Sequence, residues 1–157
     1  MSEHRVQIRP AIPADVEAIR GCVAAAYELY VARIGKKPAP MLDDYERLIA
    51  DGVVSIATLD GEVVGAIVAW PNEDHFYVDN IAVLPAAQGT GVGTVLLDHV
   101  DARAVDAGRD EVRLYTNVTM VENIDYYPRR GFTETHRAAD AGYERVYYSR
   151  PVFPPQG

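Results

Sequence analysis

The stretch Asn80-Ile81-Ala82-Val83-Leu84-Pro85-Ala86-Ala87-Gln88-Gly89-Thr90-Gly91-Val92-Gly93 decides how this chain is read. It joins an apolar strand-like run, a proline stop and a turn with glycine at every second position. A helical pattern follows, with apolar positions at Val95, Leu96, Val100 and Ala104, and ends near Gly108. Glycines at a helix mouth let the backbone approach an anion, and the unpaired N–H groups of the first helical turn point toward it. A diphosphate is the natural guest. Two common phosphate-binding patterns are missing: Leu96 stands where G-x-G-x-x-G needs its third glycine, and the turn has no lysine for a P-loop. Taken alone, the turn reads equally as a tight connection without a ligand.

Outward from this stretch, a strand is expected over 75–83. Earlier, 53–59 and 62–70 flank Asp60-Gly61, a two-residue hairpin signal. A first strand over 6–9 stops at Pro10. The helix after it has Pro13 near its start, Asp15 and Glu17 in its first turn, and apolar residues at Val16, Ile19, Val23, Ala26 and Tyr30. Gly35-Lys36-Lys37-Pro38-Ala39-Pro40 breaks that helix, and a shorter one is expected over 43–50. Beyond the glycine turn come a strand over 112–116, a short helix over 122–129 and strands over 132–136 and 143–149. The order β-α-α-β-β-β-α-β-α-β-β is a mixed α/β layout with an antiparallel opening and one strand–turn–helix unit. Residues 1–150 are expected to form a single domain, with 151–157, which hold three prolines, as a tail.

With 157 residues, 48% hydrophobic and 24% charged, the chain is expected to bury an ordinary globular core. Its single cysteine, Cys22, rules out an internal disulfide framework and fits a reducing compartment. Met1-Ser2-Glu3-His4-Arg5 does not read as a secretory leader, and the run over 63–70 is too short to span a bilayer. The expectation is a cytoplasmic protein with no membrane partner. A net charge of −8 repels a phosphate backbone, so no nucleic-acid partner is expected; it weakly favours a cationic one.

The quoted stretch resembles the acetyl-CoA motif of the GNAT superfamily of N-acetyltransferases. That motif is Gln/Arg-x-x-Gly-x-Gly after a strand ending Ala-Val-x-Pro, and Gln88, Gly91 and Gly93 take its positions. Asn123-Ile124-Asp125-Tyr126-Tyr127-Pro128-Arg129-Arg130-Gly131-Phe132 resembles the family's second signature, a helical tyrosine followed four residues later by Gly-Phe. The resemblance covers nearly the whole chain. It implies the GNAT acyl-CoA N-acyltransferase fold, a central, mostly antiparallel sheet splayed in the middle and flanked by about four helices.

It also implies roles. Backbone groups of Ile81, Ala82 and Val83 should hold the pantetheine arm as an added strand. The amides of Gly89, Thr90, Gly91, Val92, Gly93 and Thr94 should hold the diphosphate, with Gln88 at the motif's first position and no metal required. Tyr127 aligns with the tyrosine that protonates the leaving thiolate. A thiol has a pKa of about 8.5 and a phenol of about 10, so a neutral phenol can donate at neutral pH. The amide of Val83 would face the oxyanion. The acceptor must lose a proton before attack, and Asp79, four residues before Val83, is the carboxylate chosen, with Glu73 and Asp74 in reserve. In many relatives an asparagine precedes the tyrosine by seven residues, where this chain has Met120; Asn123, one helical turn before Tyr127, is the substitute expected to reach the cofactor.

For the acceptor, Tyr27, Tyr30 and Arg33 share a helix side and with Met41, Trp70 and Tyr77 are expected to line an amphipathic pocket; core packing explains the aromatic rings as well. The expected activity is acetyl transfer from acetyl-CoA to a primary amine of a small molecule. A protein N-terminus or lysine as acceptor, a non-catalytic acyl-CoA-binding domain, and a homodimer all stay open.

Overall fold

A computed structural model describes Val6 to Phe153. Its elements are β1 (Val6–Pro10), α1 (Val16–Ile34), α2 (Tyr45–Ala50), β2 (Val54–Leu59), β3 (Glu62–Pro71), β4 (Phe76–Val83), α3 (Val92–Asp106), β5 (Glu111–Asn117), α4 (Val121–Arg129), β6 (Thr133–Asp140) and β7 (Tyr143–Pro151). Short 3-10 turns precede α1, α2 and α3. The order matches the sequence reading, and the strands form one mixed sheet in the order β1-β2-β3-β4-β5-β7-β6.

The chain divides into two compact units, and β4 contributes to both. One unit comprises the residues up to Ala69 together with Asn80–His99. Here β1, β2 and β3 pair antiparallel, and Asp60 and Gly61 turn the β2–β3 hairpin with φ of 53° and 82°, as a primed two-residue turn requires. On α1, Ile19, Cys22, Val23 and Tyr27 fall on one helix side and are buried. The helix starts where the Asp15 carboxylate accepts from the Ile12 N–H at 2.8 Å and from both Arg9 terminal nitrogens at 2.8 and 2.9 Å. Those bonds to Arg9 hold the Asp15 carboxyl below its usual range. At its other end Gly35 takes a left-handed φ of 86°.

The other unit comprises Trp70–Asp79 and the residues from Val100 onward. β4 pairs parallel with β5 over only three positions, Phe76 to Val78 against Val112 to Leu114. β5 then continues to Asn117 against β7, and β7 pairs with β6, both antiparallel. Strand β6 runs four residues past the expected end at 136 and turns at Ala141-Gly142, with φ of 52° and 83°. Every residue of β6 is exposed, so it has no apolar alternation by which its length could be read. Pro151 also ends β7 rather than starting a tail: it lies opposite Glu111, and the N–H groups of Val152 and Phe153 bond to the Asp110 carbonyl and the Asp101 carboxylate. Residues 154–157 of the expected tail lie outside the described residues.

The Glu111 carboxylate accepts from Arg113 Nε at 2.8 Å, from a terminal Arg113 nitrogen at 3.1 Å and from the Ser149 hydroxyl. These bonds, Arg113's first, bring its pKa down to about 2. Because the folded value lies below the unfolded one of about 4.3, this stabilisation is complete above the unfolded value and is lost as pH falls toward about 2. Glu111→Gln should therefore flatten the fall of the urea midpoint across that window. Parallel curves for the two proteins would refute the assignment. Among the described residues no helix is long and apolar enough to cross a membrane.

Candidate active site

In the first unit the quoted stretch is a strand, a short 3-10 turn and a helix mouth. Gly89 and Gly91 adopt left-handed φ of 84° and 89° immediately before α3, and a Cβ on either would meet open space. Glycine is therefore required there by backbone conformation and not by crowding. The Val95 N–H reaches the Gly91 carbonyl at 3.0 Å, closing the first helical turn. The amides of Val92, Gly93 and Thr94 precede that bond and have no acceptor within the helix. Gln88, Gly89, Thr90 and Gly91 are exposed, and Gly93 and Thr94 half-buried, so the turn is open to a ligand. The Thr90 hydroxyl is turned to the Ala87 carbonyl and so tightens the loop.

Burial alternates along β4: Phe76, Val78, Asn80 and Ala82 are buried, and Tyr77, Asp79, Ile81 and Val83 half-buried. The alternation puts Asp79 and Val83 on one side of the strand. The buried side of its second half is fixed by two contacts that sequence reasoning missed. Gly65 of β3 has no room for a side chain: a Cβ there would lie 3.0 Å from Val92 Cγ1, 3.2 Å from the Ala82 carbonyl oxygen and 3.2 Å from Leu96 Cδ1. An isolated glycine in an otherwise apolar strand run, Val63-Val64-Gly65-Ala66-Ile67, is the signal that such a close approach leaves in a sequence.

The second contact is a buried polar network. The Asn80 carboxamide oxygen accepts from the Tyr27 hydroxyl at 2.9 Å, and its nitrogen donates to the Tyr45 hydroxyl at 2.9 Å. Tyr45 in turn donates to the Pro40 carbonyl at 2.6 Å, and the Tyr27 hydroxyl also lies 3.0 Å from the Ile81 carbonyl. Tyr27, expected in the acceptor pocket, is thus buried with its hydroxyl on β4. Tyr30 is half-buried 6.3 Å from the Tyr27 ring, and the exposed Arg33 stacks over Tyr30 at 5.2 Å.

In the second unit Tyr77 meets Trp70 at 5.2 Å and Tyr115 at 6.4 Å, and Tyr115 meets Tyr147 at 6.0 Å. This row of half-buried rings crosses β4, β5 and β7, and the Arg145 guanidinium lies 4.0 Å from the Tyr115 ring. Burial first, then the Asp79 charge, push the Tyr77 hydroxyl well above the usual phenol range. Tyr77 thus keeps its proton, and Asp79 sits close enough to act on it. Tyr115, Arg145 and Tyr147 were not foreseen, because the β5 and β7 alternation alone does not say which face stays open.

Tyr127 on α4 is 7% exposed and packs against Tyr126, Phe132 and Tyr148 at 5.4, 5.6 and 5.8 Å. Its carbonyl accepts from Arg130 and Phe132, and Gly131 between them has a φ of 89°. A Cβ at Gly131 would lie 2.8 Å from Phe153 Cζ, the tip of a side chain that can shift, so it is the left-handed conformation that demands glycine in the Gly-Phe pair. Asn123 directs its amide nitrogen to Thr116 Oγ1 at 3.1 Å, tying α4 to β5. Among the described residues no group of three or more His, Cys, Asp and Glu is placed to hold a metal ion.

Residues 23–132 match the sequence model of the acetyltransferase (GNAT) family. The fold is similar to that of the PaiA N-acetyltransferase of Thermoplasma acidophilum in complex with coenzyme A, with 15% identity over 91% of this chain and 98% of that one and a TM-score of 0.76. The Escherichia coli ribosomal-protein-S18-alanine N-acetyltransferase is 18% identical over 98% and 97% of the two chains, with a TM-score of 0.71. Nourseothricin acetyltransferase is 21% identical over 94% and 98%, also with a TM-score of 0.71.

Proposed function

Because this chain belongs to the GNAT acetyltransferase family, and so is an acyltransferase, we propose that it moves the acetyl group of acetyl-CoA to a primary amine of a small molecule. The observation carrying the cofactor assignment is the left-handed pair Gly89 and Gly91 ahead of α3, whose first-turn amides lack helical acceptors. The amides of Gly89, Gly91, Val92, Gly93 and Thr94 bind the diphosphate, the Thr90 N–H being held by the Ala87 carbonyl at 3.2 Å, and the backbone of Ile81, Ala82 and Val83 binds the pantetheine.

In the proposed reaction Asp79 takes a proton from the ammonium, and the freed amine attacks the thioester carbonyl carbon. The Val83 N–H donates to the resulting oxyanion. When that intermediate collapses, the C–S bond breaks and the thiolate takes a proton from Tyr127; the nitrogen gives up its second proton, which returns to the Tyr127 phenolate through solvent, and a neutral amide and CoA leave. The small-amine reading is supported by the half-buried rings beside Asp79. Aromatic faces and a carboxylate together favour an ammonium, and the net charge of −8 draws cations.

Thermal denaturation with acetyl-CoA tests the cofactor assignment. A concentration about 100 times Kd adds about 2.7 kcal/mol of stability, a rise of several degrees in Tm. No rise at millimolar acetyl-CoA would remove the enzymatic reading. Thiol release across a panel of small amines and peptide N-termini then separates the acceptor classes, and release with neither class would indicate a binding domain. Asp79→Asn should shift the pH dependence of kcat/KM, and an unchanged profile would exclude Asp79 as the base.

A further inference from the structure

Asn80 does more than fill the core beneath β4. Its carboxamide can be oriented in only one way. Tyr45 has committed its proton to the Pro40 carbonyl, so the Tyr45 oxygen must accept, and only the amide nitrogen of Asn80 can supply that bond. The Asn80 oxygen therefore faces Tyr27, whose single proton lies between that oxygen and the Ile81 carbonyl, at 2.9 and 3.0 Å. The exposures of Asn80, Tyr27 and Tyr45 are 5%, 9% and 2%, so none of these bonds is readily exchanged for water. The chain of bonds joins α1, α2 and the Ala39–Leu42 turn to β4 at residues 80 and 81, the start of the segment assigned to the pantetheine.

We propose that Asn80, with Tyr27, is a positioning pair for the cofactor. It sets the direction of the Ile81 carbonyl and the height of the following peptides, so that β4 meets the pantetheine arm as a preformed edge. This inference rests on the cofactor reading above. Tyr27 is thereby assigned to cofactor positioning and not to acceptor contact.

The two tyrosines separate this role from simple packing. Tyr45 is the more deeply buried, so a purely structural network makes Tyr45→Phe at least as damaging as Tyr27→Phe in every measurement. Positioning predicts opposite rankings. Tyr27→Phe, which removes the hydroxyl that bonds the Ile81 carbonyl, should weaken acetyl-CoA binding about tenfold, as loss of that carbonyl's partner implies. Tyr45→Phe should lower Tm as much or more, yet bind acetyl-CoA within about threefold of the parent, because the two bonds it loses, to Pro40 and from Asn80, lie away from the ligand. Asn80→Ala should weaken binding at least as much as Tyr27→Phe, and Ile19→Val, a fully buried change on α1 that touches none of these bonds, should not weaken it. The measurement is titration calorimetry with acetyl-CoA, well below each variant's Tm. Equal affinities for Tyr27→Phe and the parent, or an affinity ranking that follows Tm, would overturn the proposal. A parent that binds no acetyl-CoA would instead overturn the cofactor reading, and this proposal with it.

Discussion

Tyr127→Phe is expected to lower kcat by about 10²-fold, the lower end of what a positioned general acid contributes. The substitution removes one oxygen and keeps the ring, so the contacts with Phe132 and Tyr148 at 5.6 and 5.8 Å survive. Acetyl-CoA affinity should change little, and Tm by no more than a lost hydrogen bond implies. Loss confined to kcat is the mark of an interaction made only as the C–S bond breaks. An activated thioester with a less basic leaving thiol should recover much of the lost rate, because its thiolate needs no proton. Unchanged turnover across pH in the Phe variant would exclude Tyr127 as the donor.

The second large effect is on stability. Arg150, 3% exposed, holds the Asp101 carboxylate with two bonds of 3.0 and 3.1 Å, and Asp101 also accepts the Phe153 N–H at 3.1 Å. The guanidinium is sandwiched between Phe132 and Phe153, at 4.7 and 4.1 Å. Asp101→Ala strips this buried cation of its counter-charge and should cost about 3–5 kcal/mol. For two charges removed together the penalty is smaller, so Asp101→Leu combined with Arg150→Met should recover part of that loss. Urea denaturation of the two variants measures both effects. A cost for Asp101→Ala below about 1 kcal/mol would show that the pair is solvated and not buried.

Much of this was legible in the sequence, and for identifiable reasons. Asp60-Gly61, Gly35 and the Gly89/Gly91 turn announce themselves because positive φ favours glycine and, in a hairpin turn, tolerates aspartate. The placement of Ile19 and Val23 in the core follows from helical spacing, whereas Tyr27, expected in the acceptor pocket, joins them there. The Gly131-Phe132 signature marks a left-handed backbone position. What stayed hidden depends on long-range partners. Nothing near Asn80 in sequence says that it bonds residues 53 and 35 positions away. Arg150 looks like a surface cation at a strand end, and only the fold brings it to Asp101. The extent of β6 was illegible because a strand exposed on both faces carries no pattern.

Gly65 has one more implication. The atoms nearest its missing methyl belong to two different segments: the Ala82 carbonyl, in the strand assigned to the pantetheine arm of acetyl-CoA, and the Val92 and Leu96 side chains, in the helix assigned to its diphosphate. A single point on β3 is thus the common gauge for two adjoining parts of one long ligand. An added carbon there would push strand and helix in different directions at once, and no shift of the cofactor as a whole could follow both.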